Sequence, residues 1–149
     1  MTELTRDTWV LVADGEKALF LKNITDAENP NLVVVREEWQ ENPSDFEQSA
    51  NRPGRFNDGP RAARSAVQDT DWHDLAKERF ADHLAEMLYA RAHRGAFERI
   101  VLVAPPRVMG DLRPALHKEV TQRVVGEVPK DLTNHPVDRI EATVAAAPD

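Results

Sequence analysis

The chain has 149 residues, 41% apolar and 30% charged, with a formal charge of −7; that is room for one domain burying roughly two-thirds of its unfolded surface and too little for two separate cores. It contains no cysteine, which excludes disulfides, thiolate zinc sites and cysteine nucleophiles. The longest apolar runs, Trp9 to Ala13 and Ile100 to Ala104, fall far short of the roughly 18 residues a membrane span needs, and the polar start Met1 to Thr8 lacks the basic and apolar regions of a signal peptide, so a cytoplasmic protein without a membrane partner is expected.

Thr8 to Ala13 and Lys17 to Lys22 are β-branched or aromatic-rich runs around Asp14-Gly15-Glu16, and Asp-Gly is a strong hairpin signal because both residues tolerate positive φ. Leu32 to Trp39 continues the pair into a three-stranded meander. From Gln40 to Asp69 no period is sustained, and Pro43, Pro53, Gly54, Gly59 and Pro60 punctuate the stretch, which predicts a long loop at about 41–70. A connection of that length inside a compact domain is usually functional or disordered. The spacing of Trp72, Ala76, Phe80, Leu84, Met87 and Leu88 predicts a helix over 71–94, capped by Asp71 and ended by Gly95. Glu98 to Ala104 is a strand apolar on both faces, as in the middle of a sheet covered on both sides, and Pro105-Pro106 stops it. Leu112, Leu116 and Val120 mark a second helix, which Pro114 allows only if it begins near Asp111. A fifth strand over Val124 to Val128 and a closing helix over Pro136 to Ala146 complete the chain.

The order β-β-β, loop, α-β-α-β-α predicts a single α/β domain: a mixed five-stranded sheet, strand order 3-2-1-4-5 with strand 2 antiparallel, flanked by helices. This is the ribonuclease-H-like arrangement. A two-metal nuclease of that fold needs carboxylates converging from the first and fourth strands and the first helix, but the fourth strand ends in Ala104-Pro105-Pro106 and Asp14 reads as a hairpin residue, so no metal and no cofactor are expected. His73, His83, His93, His117 and His135 show no zinc spacing and are expected in surface or capping roles. No Gly-x-Ser-x-Gly elbow or Gly-rich phosphate loop is present.

Charge is unevenly spread. Residues 1–50 carry 11 acids and 4 bases, residues 66–149 carry 14 and 11, and residues 51–65 set Asp58 against Arg52, Arg55, Arg61 and Arg64. Arginine's planar fork suits phosphate oxygens and base edges; Gly54 allows close approach of the backbone and Phe56 offers a stacking face. This loop is the first candidate for binding RNA or another anion, with a solvated excursion as the alternative. A second candidate comprises Asp14 with Lys130 and Asp131, which follow the first and fifth strands at the sheet's carboxyl edge, where α/β folds often bind ligands; here the alternative is that Asp131 forms a turn and Thr133 caps the last helix. Asp74, Glu78, Asp82 and Glu86 form an acidic row on the long helix, either a solvated face or a docking surface for a basic protein partner.

Trp9-Val-Leu-Val-Ala-Asp-Gly15, Arg52-Pro-Gly-Arg-Phe56, Phe80-Ala81, Leu102-Val-Ala-Pro-Pro106 with Gly110-Asp-Leu-Arg113, and Lys130-Asp-Leu-Thr133 together resemble the bacterial host attachment protein family, over about Trp9 to Val144. That family is similar to the middle domain of archaeo-eukaryotic peptide release factors and Pelota-type rescue factors. The resemblance implies a place in translation and tRNA or ribosomal RNA as partner, with the Arg52 to Arg64 stretch corresponding to the release factor loop whose Gly-Gly-Gln tip helps water attack the peptidyl-tRNA ester. No Gly-Gly-Gln occurs here; Gln48 and Gln68 flank the loop without a glycine pair. The expectation is therefore an RNA- or ribosome-binding module without a catalytic residue. A protein-interaction adaptor in attachment or stress regulation and a peptidyl-tRNA ester hydrolase are the alternatives.

Overall fold

Alternating side chains on the first strand point to opposite faces of a sheet, and in β1 (Trp9–Ala13) every one of them is buried. The computed structural model describes residues 3–39 and 59–147. β1 pairs antiparallel with β2 (Lys17–Asn23), Ala13 opposite Ala18 across the Asp14-Gly15-Glu16 turn. β2 pairs antiparallel with β3 (Leu32–Trp39), where Phe20 faces Arg36 and Leu21 faces Val34, so Val35 is the extra residue of a bulge. Such a bulge twists an edge strand away from a further partner. On its other side β1 pairs parallel with β4 (Ile100–Val103), and β4 with β5 (Val124–Val128). The order is β3-β2-β1-β4-β5, as the element sequence predicts.

Each face of the sheet has its own core. Trp9, Leu11, Phe20 and Leu102 pack under Phe80, Leu84 and Leu88 of the long helix α1 (Gly59–His93), together with Met109 and Leu112. Val10, Val12, Leu21, Val101 and Val103 pack under Ile140 and Val144 of the closing helix α4 (Val137–Ala146). Arg91 of α1 lies 5.2 Å from the centroid of the Phe20 ring. Burial, and after it the neighbouring Arg36 and Arg94, push its pKa down, while Glu38 works the other way.

Three expectations need correction. The long helix begins at Gly59 rather than Asp71, so the part of the supposed loop that falls on 59–69 is helical. A search for an apolar stripe misses this stretch because it is built from Ala62, Ala63, Arg64, Ala66 and Gln68, strong helix formers without an apolar ladder, and because Pro60 sits in the first turn, where a missing amide costs nothing. The second helix is not one element. α2 (Pro106–Leu112) starts on a proline at its first position, passes into a 3-10 turn (Arg113–Ala115), and the chain restarts as α3 (Lys118–Thr121). Pro114 has no N–H for the α-helical bond to Gly110, so the helix tightens and ends there. Finally, Thr133 does not cap the closing helix; Pro136 occupies that position without a side-chain bond.

Candidate functional site

β1, β3, β4 and β5 run in the same direction, so their carboxyl ends share one edge of the sheet, and the β1–β2 turn sits on it. Asp14 shapes this turn: its Oδ1 accepts from the backbone N–H groups of Glu16 at 2.7 Å and Lys17 at 2.8 Å, an arrangement that aspartate offers and an apolar residue does not. Its other oxygen faces Thr133 Oγ1 at 2.8 Å. Thr133, only 4% exposed, lies in the connection after β5, and its hydroxyl is also 2.8 Å from Asp131 Oδ1. A hydroxyl has one proton, so it donates to one carboxylate at a time and binds two chain segments 119 residues apart.

A second tie runs beside the first, Lys17 Nζ donating to Asn134 Oδ1 at 2.8 Å. Together they join the hairpin to the β5–α4 connection across the end of β4, where Pro105 and Pro106 offer no backbone N–H. The secondary candidates Asp14 and Asp131 are thus brought together through Thr133, while Lys130 and Asp131 are exposed beside them. Thr133, Lys17 and Asn134, which no sequence motif marks as a site, complete the cluster. Among the described residues no three His, Asp or Glu side chains converge so as to hold a metal ion.

α1 approaches the same edge. A Cβ on Gly15 would lie 2.9 Å from Lys77 Cγ, so the aliphatic stem of Lys77 rests on the hairpin tip and only glycine leaves it room. From there α1 descends to Ala92, buried near the start of β4. Residues 59–74 precede the Lys77 contact and continue the helix axis on the carboxyl-edge side. Arg64 and Arg61 lie 13 and 16 residues before Lys77, about 20 and 24 Å along that axis. Arg52, Gly54, Arg55 and Phe56, the other members of the basic segment, lie outside the described residues.

Two further features belong to the motifs named above. Arg113 of the 3-10 turn forks onto Glu127 of β5, Nε to Oε1 at 3.0 Å and Nη2 to Oε1 at 2.5 Å; the hydrogen bond first, then the charge, raises its pKa above the ordinary value. Glu78, Asp82 and Glu86 of the acidic row are exposed. No described helix is long and apolar enough to cross a membrane. A family model described as bacterial archaeo-eukaryotic release factor family 12 matches residues 7–144. No curated protein matches the chain.

Proposed function

The chain belongs to the bacterial archaeo-eukaryotic release factor family, and from that premise we propose that it is a cytoplasmic RNA- or ribosome-binding module of translation that works without a Gly-Gly-Gln tip. The observation that carries this reading is the concentration of cation in one segment of an acidic chain: four arginines against Asp58 over residues 51–65, where the whole protein is at −7. The helical start of α1 supports it, because Arg61 and Arg64 then stand three residues apart in the first turns of a helix, whose N-terminus favours anions. Sequence-independent contact with phosphates needs no more than such a cluster. The absence of any Gly-Gly pair in the sequence removes the residue pattern that orients water at a peptidyl-tRNA ester, so the arginines hold RNA rather than cleave it.

Ribosome co-sedimentation across a salt series tests this. The unaltered protein is expected to bind with a steep salt dependence, and replacing Arg52, Arg55, Arg61 and Arg64 by Ala is expected to reduce the log-log slope by about 3, since each phosphate contact contributes about 0.7 to 0.9. Binding that is unchanged in the four-arginine variant rejects the proposal. Exposed Glu78, Asp82 and Glu86 on α1 favour a second reading, an adaptor for a basic protein partner; recovery of such a partner after nuclease treatment, by a chain that does not bind RNA, would select it.

A further inference from the structure

On the α1 side of the sheet, toward the C-terminal end of the long helix, three rings meet. Tyr89 is half-buried against the core. One turn later His93 lies 5.7 Å from it with the ring planes 39° apart, and His117 lies 4.2 Å from it with the planes 35° apart. Both histidines are held. His117 is the N-cap of α3, its Nδ1 accepting from the Glu119 N–H at 3.0 Å, and His93 Nδ1 lies 3.3 Å from both carboxylate oxygens of Glu119. Yet His93 and His117 are both exposed, the His93 side chain to 66%.

Capping a helix of four residues does not call for histidine. Ser, Thr, Asp and Asn are the preferred N-caps, and they are compact. What His117 adds is a planar ring against Tyr89, on a residue that is itself exposed. Arg94 and Lys118, adjacent in sequence to the two histidines, are exposed as well. Flat rings fixed in orientation, open on the outside and flanked by cations are what an unpaired base and its phosphate require: every base has a π-face, and the cations meet the backbone.

We propose that Tyr89, His93 and His117 form a stacking platform for an unpaired nucleobase, with the outer face of His117 taking the base and Lys118 and Arg94 its flanking phosphates. This rests on the RNA-binding reading and goes further, because it assigns a base contact to a surface separate from the arginine segment. Arg64 and Tyr89 are 25 residues apart on one helix, about 37 Å, so a single strand engaged at both would run along α1.

The test uses the full chain and a single-stranded oligoribonucleotide of about 12 nucleotides, within the site size of one small domain, carrying one 2-aminopurine whose emission falls on stacking. The unaltered protein is expected to quench that emission and to bind the strand about tenfold more tightly than a matching strand with abasic positions. His117→Asn keeps a capping oxygen and removes the ring; the variant is expected to fold with unchanged far-ultraviolet circular dichroism, to lose the quenching and to bind both strands equally. His93→Gln is expected to weaken quenching by a smaller factor. Equal affinity for the two strands in the unaltered protein, or full quenching in His117→Asn, would show that the rings serve only to pin α3 and would overturn the platform. If salt-sensitive binding then still depends on the four arginines, the RNA reading stands while the platform falls; absence of any RNA binding overturns both.

Discussion

The two halves of α1 are one helix by backbone and two different things by sequence. From Ala76 to Ala92 every third or fourth residue is buried, Phe80, Leu84 and Leu88 among them, and the helix exists there because the sheet offers an apolar face to cover. From Gly59 to Thr70 the largest apolar side chain is Val67, and helix formation follows from the propensity of Ala, Arg and Gln. The contrast separates a half held by packing from a half without large apolar side chains along a single element. A half specified by packing accepts little change, whereas a half specified by propensity is free to carry arginines at any spacing.

Truncation in the packed half should break the fold hardest. Leu84 is fully buried between α1 and the sheet, and Leu84→Ala is expected to cost about 2 to 5 kcal/mol in chemical denaturation, the range for a leucine cavity in a core. A loss below about 1 kcal/mol would mean that α1 is not anchored by this ladder and that the two halves differ less than their sequences suggest.

A smaller effect is expected at the carboxyl edge, where polar ties do the joining. Thr133→Val keeps the shape and removes the hydroxyl that meets Asp14 and Asp131. Asp14 is half-buried and Asp131 exposed, so water can reach the acceptors left behind, and the loss should be about 0.5 to 1.5 kcal/mol, the net worth of an ordinary hydrogen bond. Asp14→Asn retains the turn-forming oxygen and replaces Oδ2 by an amide that can only donate to Thr133 Oγ1, so a double-mutant cycle of the two substitutions measures what the carboxylate adds over a neutral amide; a coupling of about 0.5 to 3 kcal/mol is expected for groups in direct contact. Additive losses would show that the Asp14 charge adds nothing to the tie.

These two regions also differ in how far local pattern reveals them. β1 and β4 announce themselves as apolar on both faces, and the meander, the crossovers and strand order 3-2-1-4-5 follow from that and from the Asp-Gly turn. The packed half of α1 is equally open to reading because a ladder of large side chains has a period. Its N-terminal half has no such period, so prolines and glycines dominate the reading and the stretch looks like a loop. Pro114 misleads in the same way: it marks the end of α2 and not the first turn of a longer helix, because the helix has already begun at Pro106, six residues after the start of β4. The Asp14–Thr133–Asp131 tie is half legible. Each residue belongs to a recognisable turn, but their meeting across 119 positions depends on parallel strands ending at one edge, which only the assembled sheet supplies.

The finest comparison uses the same substitution in both halves of α1. Ala90 is exposed in the packed half, so Ala90→Gly removes no contact with the core and changes only helix propensity. Because that half unfolds together with the sheet, the full cost of glycine in a helix interior, about 1 kcal/mol, should appear in the global unfolding free energy. Ala66→Gly makes the same chemical change in the arginine-bearing half. That half has no ladder of large apolar side chains in its sequence, so it is expected to open locally before global unfolding and outside the same transition. The expected change in global stability is below about 0.5 kcal/mol, while the ellipticity at the helical minimum falls. Equal costs at the two positions would show that α1 melts as one cooperative unit, and the arginines would then be borne by the scaffold itself.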